Sequence, residues 1–209
     1  MEDFGTRLAA LLGAREPQRV EMAEARDAAV LIPLIATPEP TLIFTVRTDT
    51  LPSHKGQIAF PGGSIDDTDA SAEAAALREA EEEIGLDPDR VRILGELDTT
   101  PTFVSGYVIY PFVGWLEEQP DLDPNPAEVA EVLLVPLSEL VEDIRREPGF
   151  AHGGRTFPTE AWVWRDHVIW GVTARIIRHF LVLLGEAGLA ATPGPTDSWT
   201  AWPLTSTRS

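Results

Sequence analysis

The stretch Arg78-Glu79-Ala80-Glu81-Glu82-Glu83-Ile84-Gly85-Leu86, preceded by Pro61-Gly62-Gly63, decides how this chain is read. From Ala70 to Ile84 the sequence is rich in Ala and Glu and free of Pro and Gly, which predicts a helix. Gly85 fits the C-terminal cap of that helix and Leu86 the apolar residue beyond it. Within it Glu79, Glu82 and Glu83 stand at i, i+3 and i+4, so they share one face. The same region carries Asp66, Asp67, Asp69, Glu73 and Glu81, against a single base, Arg78. Like charges placed this way repel and destabilise an isolated helix. A divalent cation removes that cost, and hard cations such as Mg2+ and Mn2+ favour carboxylate oxygens while keeping waters that can be activated. A solvated acidic face is the alternative reading of the cluster alone. Two neighbours favour the metal reading: Gly62-Gly63 lets the backbone come close, and Arg78 can orient the carboxylate of Glu79.

Outward from the helix, Ala28–Ala36 and Thr41–Arg47 read as strands of an antiparallel hairpin turned at Pro38-Glu39-Pro40. Ile58-Ala59-Phe60 is a short extended piece before the glycines. Val91–Leu97, Val108–Leu116 and Val129–Val135 read as further strands, and Trp162–Arg165 as a weaker one. Thr6–Gly13 and Ile169–Gly185 are expected helices, and Ser138 is expected to cap a helix running to Arg146. The expected architecture is α/β, one domain over residues 1–190, with a loosely held Thr-, Ser- and Pro-rich tail over 191–209.

Composition excludes several classes. The 209 residues are 44% hydrophobic and 24% charged, an ordinary globular balance. The absence of Cys removes disulfide scaffolds, thiolate metal sites and cysteine nucleophiles. A net charge of -18 repels nucleic acid and acidic membranes, so neither is expected as a partner. No targeting segment or spanning stretch is visible, and a cytoplasmic protein is expected.

The segment from Arg78 to Leu86 resembles the second half of the Nudix hydrolase signature at every fixed position. The first half is spaced differently: Ala70 holds the position of the family's first Glu, and Asp69 is expected to stand in for it with one residue inserted. Leu42-Ile43-Phe44-Thr45-Val46-Arg47 and the run from Ser53 to Gly63 look like the upstream signature of the coenzyme A diphosphatase branch. Ile169-Trp170-Gly171-Val172-Thr173-Ala174-Arg175 looks like a second segment of that branch. The resemblance covers roughly residues 28 to 180. It implies a Nudix fold, a mixed β-sheet sandwiched between helices, with the signature forming a loop-helix-loop over residues 63–86.

The implied activity is metal-dependent hydrolysis of the diphosphate bond of coenzyme A or its derivatives, giving 3′,5′-ADP and 4′-phosphopantetheine. The alternatives are a Nudix diphosphatase acting on ADP-ribose or a nicotinamide dinucleotide, or a nucleotide-binding module without catalysis. By resemblance, Glu79 and Glu83 are metal ligands for Mg2+ or Mn2+, Glu82 is a third ligand or the water-activating base, and the Gly63 carbonyl completes the shell. Arg47, Lys55 and Gln57 are candidates for substrate binding; for Arg47 and Lys55 the alternative is a salt bridge to an acid of the signature. Glu128 or Glu131 is a candidate late carboxylate, or a solvent-facing one. Trp162, Trp164 and Trp170 either pack the substrate's adenine or pantetheine arm or pack the core. Phe103 and Tyr107 are candidates for a substrate-facing wall. Trp199 and Trp202 are candidates to cover a neighbouring subunit, which leaves a homo-oligomer open.

Overall fold

A computed structural model describes residues 3–36, 39–48, 56–102, 105–140, 144–152 and 155–190. Lys55, Phe103 and the tail, with Trp199 and Trp202, lie outside the described residues.

The strand β1 (Arg26–Ile35) organises the molecule. Its residues alternate between two apolar layers, Ala29, Leu31 and Ile35 entering one and Ala28, Ile32 and Leu34 the other. A strand covered on both faces reads as a near-continuous apolar run, as this one does. It runs parallel to β7 (Tyr107–Leu116) along its whole length, from Arg26 opposite Tyr107 to Ile35 opposite Leu116. The other pairings of the central eight-stranded sheet are antiparallel, so the sheet is mixed. They involve β2 (Thr41–Arg47), β3 (Ile58–Ala59), β4 (Gly62–Ser64), β5 (Arg92–Glu96), β6 (Thr100–Pro101) and β8 (Val129–Pro136).

The position of the site follows from a divergence between β1 and β2. They pair as the expected antiparallel neighbours only at Leu34–Leu42 and Ile35–Thr41. Beyond that point β1 takes β4 as its partner, from Val30 opposite Gly62 to Ala28 opposite Ser64. In the same region β2 takes β3, through Thr45–Ala59 and Val46–Ile58. Residues 58–64 therefore cross between two strands that have separated. Arg47 comes to one side of the opening and the two glycines to the other.

Helix α2 (Ala72–Ile84) covers this side of the sheet, with Ala75, Ala76, Ala80 and Ile84 packed on Ala29, Leu31, Ile35 and Ile43. Three small side chains let its backbone lie close to the sheet. Ser71 accepts the Ala74 N–H at its start, and Gly85 ends it in the left-handed region at φ 66°. The opposite face carries α1 (Phe4–Gly13) and α4 (Gly171–Glu186), whose Leu8, Leu12, Ile176, Ile177 and Phe180 join Ile32, Phe44 and Phe60. Among the described residues no helix is long and apolar enough to cross a membrane.

Three expectations need correction. The helix expected from Ser138 to Arg146 is only α3 (Leu137–Leu140), and Ser138 lies inside it rather than capping it. Residues Ile144–His152 form β9, paired with β10 (Arg155–Trp164), the strand expected only over its last residues. Pairing across the hairpin overrides the local propensity for helix. The terminal helix begins at Gly171, because Ile169 and Trp170 belong to β11 (His167–Trp170), the third strand of this small antiparallel sheet.

Candidate active site

Arg78 gathers the acidic loop and the helix. Its guanidinium meets Asp69 at two points, Nε–Oδ1 2.9 Å and Nη2–Oδ2 3.1 Å. It also donates to Glu79 Oε1 and Glu82 Oε2, both at 3.0 Å, and to the Ser64 carbonyl at 3.2 Å. Asp69, one residue before Ala70, is therefore the acid that Arg78 engages most closely. Its own turn helps: Asp66 N–H donates to Asp69 Oδ2, and Asp69 N–H to the Asp66 carbonyl. The hydrogen bonds from Arg78 hold the Asp69 carboxyl below the usual carboxylate range.

Glu79 lies against β4. A Cβ built on Gly63 would fall 2.6 Å from the Glu79 carboxyl, so only glycine lets the carboxylate reach the strand backbone. At Gly62 a Cβ would fall 2.3 Å from the Ala29 carbonyl oxygen, so that glycine is required for β4 to pair with β1. Burial raises the proton affinity of Glu79; Arg78 opposes the shift, and the charges of Glu82 and Glu128 add to it.

Glu83 is the deepest of the acids, 4% exposed. Its carboxylate accepts the Gly62 N–H at 3.2 Å and lies 3.7 Å from Arg47 Nη1. Burial pushes its pKa up to about 7, with Gly62 and Arg47 opposing and Glu79 and Glu128 reinforcing the shift. The salt-bridge reading of Arg47 is thus the one the geometry displays. Arg47 Nε is buried with no hydrogen-bond partner among the described residues, so the guanidinium retains a donor for an anion.

Gln57 is held beside this pair by the backbone, its carbonyl accepting the Arg47 N–H at 3.0 Å. Glu82 is half out of the site, more than half exposed, and Glu81 is exposed on another side of α2. Of the two late acids, Glu128 is the one whose charge reaches Glu79 and Glu83, and Asn125 and Thr48 hold its segment in place. Glu131 is exposed on β8. Tyr107 is not a bare wall: its hydroxyl is 3.2 Å from Ser64 Oγ and its ring lies under the Arg26 guanidinium. Trp162 and Trp164 are core residues.

The metal expectation can be tested on these donors. Among the described residues no three His, Asp or Glu side chains form a ready-made cage. Glu79 and Glu82 turn one oxygen each to Arg78. The donors are nonetheless those a hard cation takes: a buried and a half-buried carboxylate that repel each other, beside a glycine backbone. A cation that keeps several of its own waters needs no more from the protein. The residues fit.

A family model described as NUDIX domain matches residues 25–157. A relative named "Uncharacterized Nudix hydrolase NudL" from Cronobacter sakazakii is 42% identical over 163 residues, covering 77% of this chain and 84% of its own. One of the same name from Escherichia coli K12 is 37% identical over 196 residues, 88% of this chain and 95% of its own. Among solved structures, the Nudix hydrolase RenU from M. smegmatis aligns at 20% identity with a TM-score of 0.47, over 56% of this chain and 73% of that one. Enzymes of this family use divalent metal ions on nucleotide diphosphates. With the signature helix, its glycine loop and relatives matched along most of their length, this chain belongs to the Nudix hydrolase family.

Proposed function

We propose that this Nudix hydrolase cleaves the diphosphate of coenzyme A or its derivatives, releasing 3′,5′-ADP and 4′-phosphopantetheine. Water adds to one phosphorus, the bridging P–O bond breaks, and a proton is released. The observation that carries the reading is the pairing of Arg47 with Glu83. Arg47 closes the upstream segment that resembles coenzyme A diphosphatases, and it stands at Glu83, the buried carboxylate of the signature helix.

Glu79 and Glu83 would hold Mg2+ or Mn2+ together with the Gly63 carbonyl, and the bound ion would supply charge neutralisation and an acidified water. Arg78 fixes the carboxylates of Glu79 and Glu82, leaving Glu82 free at its exposed edge to ligate or to accept a proton from water. Arg47 presents its guanidinium, with Nε unused, to a phosphate oxygen. Gln57 and Lys55 complete substrate binding. Such a displacement depends on alignment and charge stabilisation more than on covalent work by the protein.

The test is a panel of coenzyme A, acetyl-coenzyme A, ADP-ribose and a nicotinamide dinucleotide, each with Mg2+ and with Mn2+, the products identified by mass. Coenzyme A or its acyl form is expected to give the highest kcat/KM. Equal or higher values for ADP-ribose or the dinucleotide would remove the coenzyme A assignment and leave the family assignment standing.

A further inference from the structure

The three tryptophans around the start of α4 divide sharply by burial. Trp162 is 1% exposed and donates Nε1 to the Ala174 carbonyl at 3.2 Å, tying β10 to α4. Trp164 is 6% exposed, donates to Glu139 of α3, stacks on His167 and lies under the Arg165 guanidinium. Both rings are engaged in holding the small sheet to the body. Trp170 differs: it is 40% exposed, and with Val168 it makes up the exposed large apolar side chains among the described residues.

The position of Trp170 gives that exposure a use. It ends β11, and the next residue, Gly171, starts α4 with φ 71°. A Cβ built on Gly171 would lie 3.8 Å from Gln57 Nε2. Gln57 accepts the Arg47 N–H, and Arg47 faces Glu83. A series of neighbours thus leads from the buried Glu83 carboxylate through Arg47 and Gln57 to Gly171, the chain neighbour of the exposed Trp170. Leaving an indole in water costs burial energy that a core position would recover. A flat aromatic face beside a nucleotide site recovers it by stacking on a base, since every base presents a π-face.

We infer that Trp170, the residue before the Gly171 that lies against Gln57, is a specificity-determining residue whose indole stacks on the nucleobase of the substrate. The inference rests on the nucleotide diphosphate reading of the site, though not on coenzyme A being the nucleotide. A second copy of the chain is the weaker occupant. Val168 and Trp170 offer far less than the roughly 800 Å² per partner of a stable interface, and copies at a net charge of -18 repel. The flexible pantetheine arm gains less than a planar purine from a lone aromatic face.

The experiment compares wild type, Trp170→Ala and Trp170→Phe on whichever nucleotide diphosphate the wild type turns over best, so that failure of the coenzyme A reading does not decide this one. Trp170→Ala is expected to raise KM about tenfold with kcat changed less than about twofold, and Trp170→Phe to restore most of the loss. Inhibition by the nucleoside monophosphate half of that substrate should weaken in parallel with the rise in KM. An unchanged KM, or a KM that Trp170→Phe fails to restore, would overturn the assignment. So would a shift in sedimentation coefficient with KM unchanged, which would make the patch a contact between copies.

Discussion

Replacing Glu83 by Gln in the metal-free protein keeps the side chain's shape and removes a charge that the fold has buried. Folded Glu83 holds its proton up to about pH 7, whereas a free Glu releases it near 4.5. Between those values the folded state binds more protons than the unfolded state, so this group makes stability fall as pH rises through the window. Below pH 4.5 both states are protonated and the penalty vanishes; above 7 it is complete. A shift from 4.5 to about 7, at about 1.4 kcal/mol per unit, amounts to on the order of 3 kcal/mol. That exceeds the few tenths expected for like charges on a solvated helix face, because Glu83 is buried. Urea denaturation in EDTA, followed by tryptophan fluorescence at pH 4.5 to 8, reads the effect. The Gln variant should match wild type at the acid end and exceed it by about 2–3 kcal/mol at pH 8. Parallel stability curves across that range, or a less stable variant at pH 8, would refute the reasoning.

Arg47→Ala removes the positive charge that restrains Glu83, so the metal-free protein should lose stability more steeply with rising pH than wild type does in the same titration. In turnover the same variant should lower kcat/KM about tenfold or more, and unchanged kinetics would confine Arg47 to its salt bridge. Gly63→Ala drives a methyl into the Glu79 carboxyl, 2.6 Å away, so Glu79 must turn from the strand. The expected result is weaker Mn2+ binding by calorimetry with a thermal midpoint lowered by only a few degrees for a cost of about 1 kcal/mol.

Much of this was legible because local sequence rules coincide here. The Ala-rich spacing and Gly85 define α2 without help from the rest of the molecule, though the helix starts after the Ser71 cap rather than at Ala70. Asp69 was legible as the stand-in for the signature's first Glu, and the structure adds that it is held by Arg78. The depth of Glu83 was not. It depends on β1 and β2 separating after Leu34 and Leu42, which places Gly62 and Arg47 around one carboxylate. No local pattern encodes that divergence. The hairpin of β9 and β10 was missed for a different reason: Leu137 to Leu140 does form a helical turn, but from Ile144 the chain pairs with the strand that follows it, and that pairing overrides the local propensity. The tryptophans were equivalent as sequence, and only the register of β10 against β11 separates buried Trp162 from exposed Trp170.

The central claim is that the face of α2 bearing Glu79 and Glu83 performs the chemistry, and it is tested most directly by turnover of Glu83→Gln beside Glu81→Gln at saturating Mg2+. Glu81 is exposed on the same helix, off that face, and serves as a control for charge and helix propensity. The account predicts that Glu83→Gln loses activity by orders of magnitude while Glu81→Gln stays close to wild type. Comparable activities in the two variants would contradict it.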